Sequence, residues 1–348
     1  MLSLRLENPA PLAPGVRIRE VDELKGCAIL MVLTYHIGGV FDVRNWLHGE
    51  VGVDVFLVLS GFTLARSSRD ISWGQFLKRR LLRIFPAYWV ALALFLFLSA
   101  HFYGVYRTAP NIVLHVLGLH GFASPAFFGD INDSFWFISL ILLLYLVFLA
   151  VRKRLDDVSS VLGIGLLLAT FLVFVFLDLN HAGGVGHLSV RIPSFFIGLI
   201  AAQFLNSRET TFVLNPLLAA GLIVLAHMGC TRGIIPFYSV AAVAAMVLFL
   251  VVRQSLKKYP DGRFLLSALA LLGTYSYEIF LFHQPLVRDY NRLFWNRCYG
   301  ILNPTPAQLA LGVMGGLLIT FVLSFVVHQL INRLFSLRKP AAAGAAHA

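Results

Sequence analysis

Charge is what this sequence has least of. Asp, Glu, Lys and Arg make up 13% of its 348 residues and hydrophobic residues 58%, where a soluble domain carries about a quarter charged and about half apolar. A water-soluble fold cannot hide that much apolar surface. Cysteine is scarce as well. Cys27, Cys230 and Cys298 are odd in number, widely spaced and without a CxxC, which argues against a disulfide framework or a zinc site. No long polar insert interrupts the apolar runs between Leu24 and Leu330, so the length is read as one membrane domain. Residues 1–23 are polar and contain proline but no apolar h-region. The expectation is therefore no cleavable signal peptide, with the first span as an uncleaved anchor.

What is present is a ladder of apolar segments with basic ends. A hydrocarbon core of about 30 Å takes roughly 20 residues at about 1.5 Å each. The pattern predicts spans near 25–42, 51–66, 84–103, 134–151, 161–178, 188–205, 212–229, 234–252, 264–287 and 308–330. The net charge of +11 does not point to nucleic acid, because the basic residues flank apolar runs instead of forming a patch with exposed aromatics. With the N-terminus inside, 21 of the 28 Lys and Arg fall on the cytoplasmic side, as the positive-inside rule requires. The expected fold is an all-α integral membrane bundle of about ten helices with both termini cytoplasmic. Its parts are a cytoplasmic segment at 1–24, a membrane domain at 25–335 and a disordered tail at 336–348. Residues 111–128 are apolar but broken by Gly118, Gly121 and Pro125 and carry His115 and His120. We read them as a re-entrant or interfacial element on the outer side.

Ionisable residues inside apolar spans are costly, and they mark functional sites or satisfied packing contacts. Lys25 and His36 are eleven residues apart, about three turns plus 20°, which puts them on one helix face with a rise of roughly 16 Å. Asp54 and Ser60 lie within the second span, Ser60 beside Gly61 in what is equally a small-residue packing face. Arg80 and Arg83 are i,i+3 neighbours, suited to clamping phosphates as well as to anchoring. His101, His115, His120, His181 and His187 show no paired spacing that makes a metal site.

Several strings together resemble one family. They are Glu20 to Gly26 leading to His36, Gly52-Val-Asp54-Val-Phe-Leu-Val-Leu-Ser60-Gly61-Phe62, Arg80 to Arg83, Trp136-Phe137, Arg191-Ile-Pro193 to Gly198, and Ser276-Tyr277-Glu278 to His283-Gln-Pro285. The chain is similar to the acyltransferase 3 family, membrane enzymes that move acyl groups from acyl-CoA to extracytoplasmic sugars. It departs from the family pattern in having Lys25 where arginine is commoner and Glu23 in place of glycine. It also lacks the acid that often follows the tryptophan at Trp136, and the expectation is a membrane domain that acts without an appended SGNH-type domain.

The resemblance implies a bacterial inner-membrane, acyl-CoA-dependent O-acyltransferase, with no bound cofactor and a carbohydrate or glycolipid acceptor. His36, Glu278 and Asp54 are the expected catalytic residues, with His36 the general base. Lys25, Arg80, Arg83 and Ser60 would hold acyl-CoA, and His283, Arg191 and Trp136 the acceptor. A covalent acyl-histidine stays open. The competing class is a transporter or flippase, whose inverted repeats find no counterpart between the two halves.

Overall fold

The computed structural model describes residues 2–5, 18–43, 49–67, 71–123, 129–155, 191–207, 211–214 and 237–336. Eleven α-helices appear in the described residues. α1 is Arg19–Val40, α2 Val51–Ser67 and α3 Trp73–Tyr103. The short α4, Ala109–Val116, and α5, His120–Ala123, precede α6, Trp136–Val151. α7 is Ile192–Ser207, α8 Phe237–Leu256 and α9 Pro260–Gln284. A π-helical turn, Pro285–Asp289, leads to α10, Tyr290–Tyr299, and α11 is Pro306–Ser336. An antiparallel pair of four-residue strands, β1 (Leu2–Arg5) and β2 (Thr211–Leu214), is the exception to the helical expectation. Thr211–Leu214 therefore does not begin a helix at 212, because its backbone groups pair across chains of residues instead of along one.

Eight of the ten expected spans coincide with a described helix. The span at 161–178 and most of that at 212–229 lie outside the described residues, as do His181, His187, Cys230 and the tail from 337 onward. Five helices are long and apolar enough to cross a membrane by length and composition: Trp73–Phe102, Trp136–Arg154, Tyr238–Leu256, Pro260–Asp289 and Pro306–Phe335. α1 carries Glu20, Asp22, Glu23 and Lys25 in its first turns, which lowers its mean hydropathy.

Packing follows from small residues. A Cβ on Gly26 would stand 2.0 Å from the Leu269 carbonyl oxygen, and one on Gly273 1.8 Å from that of Asp22. α1 and α9 thus touch backbone to backbone, as small residues allow between membrane helices. Gly61 and Gly198 join α2 to α7 in the same way, each against a carbonyl of the other helix. The small-residue reading of Ser60-Gly61 therefore holds for Gly61. Around these seams the main apolar core runs through Ile29, Leu57, Tyr88, Phe95, Phe148, Phe195 and Phe282, all under 2% exposed.

One end of the bundle collects the basic segments. Arg253 at the end of α8 pairs with Glu20 at 2.8 Å and with Glu23, which Arg19 also meets at 2.9 Å. Arg152 donates to the Ile71 carbonyl, and Tyr277 donates to that of Ile84 at 2.9 Å. The end of α8 thus meets the start of α1, the end of α6 meets the segment leading into α3, and α9 meets α3 farther along both helices. The described part of the stretch at 111–128, up to residue 123, holds two short helices turned at Gly118, φ +71°, neither long enough to span.

Candidate active site

His36, three turns along α1 from Lys25, meets α9. Its ring centroid lies 4.8 Å from that of His283, edge to face, and 5.2 Å from that of Tyr35. His283 is fully buried. Its Nδ1 lies 2.8 Å from the Phe280 carbonyl oxygen and 3.2 Å from that of Ile279. A carbonyl only accepts, so Nδ1 carries the proton and the neutral ring presents the Nε2 lone pair. Nε2 has no hydrogen-bond partner among the described residues. Two imidazoles, one with an available basic nitrogen, thus face each other between α1 and α9.

Asp54 opens a second cluster. It is fully buried, forms an ion pair with Arg191 and accepts a hydrogen bond from Ser194 Oγ at 2.7 Å. Ser194 Oγ in turn lies 2.7 Å from Ser239 Oγ. The Arg191 guanidinium stands between the rings of Trp136 and Tyr238, 5.3 Å from each centroid, an arrangement favoured by the negative ring faces. Tyr238 donates to Glu50 Oε1 at 2.8 Å. Three residues expected in two separate roles, Asp54, Arg191 and Trp136, therefore form one assembly.

The remaining candidates sit elsewhere. Glu278 accepts from His328 Nδ1 of α11 at 2.8 Å, and five residues of helix set it about 140° round α9 from His283. Lys25 lies 3.5 Å from Asp22. Arg80 stacks over Phe76 and Tyr145 at 5.5 and 5.9 Å, while Arg83 is exposed. Ser60 is half-buried, and its carbonyl accepts from the Thr63 hydroxyl. Among the described residues no group of three or more His, Cys, Asp or Glu is placed to hold a metal ion.

Sequence reasoning missed His328, the Glu23–Arg253 pair and the turn Asn132-Asp133-Ser134. Asn132 Nδ2 donates to the Leu281 carbonyl at 2.9 Å, and Gln284 contacts both Ser134 and Asp133. A polar Asn-Asp-Ser just ahead of the Trp136 span is the signal that was available. His115 and His120, under the short helices, stack at 4.0 Å with 8° between planes, and His115 Nε2 lies 3.4 Å from Asp130. Burial pushes His120 down to about 3, with His115 adding to the shift. Burial also lowers His115, against the opposing pull of the Asn111 carbonyl and Asp130.

Comparison with known proteins identifies the family. A family model described as an acyltransferase domain matches residues 18–328. BcsY of Komagataeibacter xylinus, whose name describes a membrane-bound transacylase, is 24% identical over 97% of this chain and 92% of its own. The exopolysaccharide production protein ExoZ of Rhizobium meliloti is 29% identical over 68% of this chain and 75% of its own. The peptidoglycan O-acetyltransferase OatA of Listeria monocytogenes is 29% identical over 35% of this chain and 18% of its own. No solved structure matches. The chain belongs to the acyltransferase 3 family, as a multi-pass membrane acyltransferase.

Proposed function

We propose that this protein is an acyl-CoA-dependent O-acyltransferase of the bacterial inner membrane. In this reading it crosses the bilayer ten times, with both termini in the cytoplasm. It passes an acyl group, acetyl in the simplest case, to a hydroxyl of an extracytoplasmic carbohydrate or glycolipid. The contact between His36 and His283 carries the reading, since it joins the two landmark histidines that lie about 250 residues apart in sequence.

The basic end of the bundle suits the nucleotide phosphates of the donor, with Lys25 as a point charge and Arg80 and Arg83 as planar forks. The pantetheine arm then follows α1 toward His36, a rise of roughly 16 Å. His36 takes the proton of the acceptor hydroxyl as its oxygen attacks the thioester carbon. The C–S bond breaks, the CoA thiolate leaves, and the His36 proton passes to it, giving an ester and a thiol. His283, through its Nε2 lone pair, accepts a hydrogen bond that orients the acceptor. Arg191, held between Trp136 and Tyr238 and paired with Asp54, shapes the wall on the acceptor side. The names of BcsY, ExoZ and OatA, with their transacylase, exopolysaccharide and peptidoglycan O-acetyl descriptions, support this choice of chemistry.

The test is acyl transfer per unit of correctly inserted protein for His36→Ala and His36→Gln. Loss of a positioned base is expected to cost about 10² to 10⁴ in rate. Near-normal specific activity in both variants removes His36 from the mechanism.

A further inference from the structure

The turn before α6 is bonded to α9 on both sides of His283. Pro285 has no N–H, so the Leu281 carbonyl four residues back loses the donor that an α-helix would aim at it. Asn132 Nδ2 donates to this carbonyl at 2.9 Å. Asn132 Oδ1 meanwhile accepts from the Ser134 N–H at 2.9 Å, which fixes which end of the amide is oxygen. Ser134 Oγ donates to Gln284 Oε1, and Gln284 Nε2 donates to Asp133 Oδ2 at 2.9 Å. Asn132, Ser134 and Gln284 are each no more than 2% exposed. Directly after Gln284 the helix changes to the π turn Pro285–Asp289, a change of winding that concentrates at functional sites.

His283 takes its orientation from the same backbone. Its Nδ1 is held by the carbonyls of Ile279 and Phe280, so the direction of Nε2 depends on the path of the chain from 279 to 285. The Asn132 turn holds residues 281 and 284 of that path from outside the helix.

We propose that Asn132 is a positioning residue for acyl transfer. By donating to the carbonyl that Pro285 leaves without its helical donor, it fixes the turn of α9 that carries His283, and hence the approach of His283 to His36. The inference rests on the functional reading above, and Asn132 itself touches no substrate.

The experiment uses the full chain in lipid nanodiscs. It measures acyl-transfer kinetics together with carbethoxylation of His283 by diethyl pyrocarbonate, read by peptide mass spectrometry. Asn132→Ala is expected to lower kcat about tenfold or more, since small misplacements of reacting groups reach about 10²-fold, with the donor KM unchanged. The same variant speeds carbethoxylation of His283. Asn132→Ala combined with Pro285→Ala returns an N–H to the helix and recovers most of kcat and the slow carbethoxylation. Asn132→Asp keeps the shape but loses the donor and behaves as the Ala variant.

Three results would each overturn the proposal: unchanged kcat and carbethoxylation in Asn132→Ala, a double variant no better than the single, or a lower yield of folded protein with unaltered kcat per molecule. If His36→Ala and His283→Ala both keep transferring acyl groups, the functional reading falls. The carbethoxylation arm then still decides whether Asn132 sets His283.

Discussion

Replacing Asp54 by Leu tests whether the Asp54–Arg191 pair is catalytic or architectural. The substitution leaves the Arg191 guanidinium, 4% exposed, with the Glu50 carbonyl at 3.3 Å and two aromatic faces. Breaking a buried pair by removing one partner costs about 3–5 kcal/mol. A desolvated cation over aromatic rings retains up to about 2 kcal/mol of attraction, so we expect a loss near the lower figure, about 3 kcal/mol. Replacing Arg191 by Leu as well removes both charges and leaves Ser194 its Ser239 partner at 2.7 Å. The double variant should therefore lose only about 1 kcal/mol, as apolar replacements of buried pairs do. At roughly 2 °C per kcal/mol in a large chain, the single variant melts about 6 °C lower and the double about 2 °C lower. Size-exclusion recovery after heating in detergent measures both. A double variant no more stable than the single refutes the reasoning. If the double variant is stable yet transfers no acyl group, the pair serves the acceptor as well as the fold.

Three further expectations follow from the same framework. Cys298, exposed on α10 between α9 and α11, should react with a membrane-impermeant maleimide in intact cells, and labelling only after permeabilisation would invert the orientation. Replacing Arg80 and Arg83 together by Gln should raise the donor KM more than it lowers kcat if, as proposed, they meet the donor phosphates equally in ground and transition states. An unchanged KM with normal insertion would leave the two residues as membrane anchors. His115 and His120 are held neutral, their folded values below the usual imidazole value of about 6.5. Their contribution to stability is thus complete above about pH 6.5 and lost as pH falls toward the folded value, about 3 for His120. Hydrogen exchange across 109–123 should show weaker protection at pH 5 than at pH 7.5, less so in His120→Phe, and equal protection at both pH values would refute it.

The apolar ladder was legible because a helix that crosses a bilayer must satisfy its own backbone and present apolar side chains for about 20 residues, a purely local demand. The seam between α1 and α9 was not legible. Gly26 and Gly273 are small for the same reason, but nothing in their local spacing says that they face each other. Glu278 was legible as an ionisable group within a span, yet its partner His328 lies on the last helix. Asp54 likewise signalled a buried charge without revealing Arg191, 137 residues on. Glu23 stood out only as a departure from a family pattern, and its pairing with Arg253 explains how a buried acid is tolerated. In each case the type of residue was readable and the partner was set by which helices pack together.

The distribution of partners also bears on where proton transfer can occur. Glu23 is matched by Arg19 and Arg253, and Asp54 by Arg191. Those charges are compensated within the protein, so moving a proton among them would strand a partner in a medium that solvates ions poorly. Glu278 faces an imidazole, but on the side of α9 that packs on α11. The His36 and His283 pair differs in kind. His283 Nδ1 is held by the carbonyls of Ile279 and Phe280, its ring meets that of His36 edge to face, and an imidazole can both take and give a proton. A hydroxyl can lose a proton to such a group and the thiolate can regain it, so net charge in the membrane interior changes in neither half of the cycle. The proposed chemistry accordingly belongs at the seam of α1 and α9, where His36 meets a His283 whose Nε2 has no hydrogen-bond partner among the described residues.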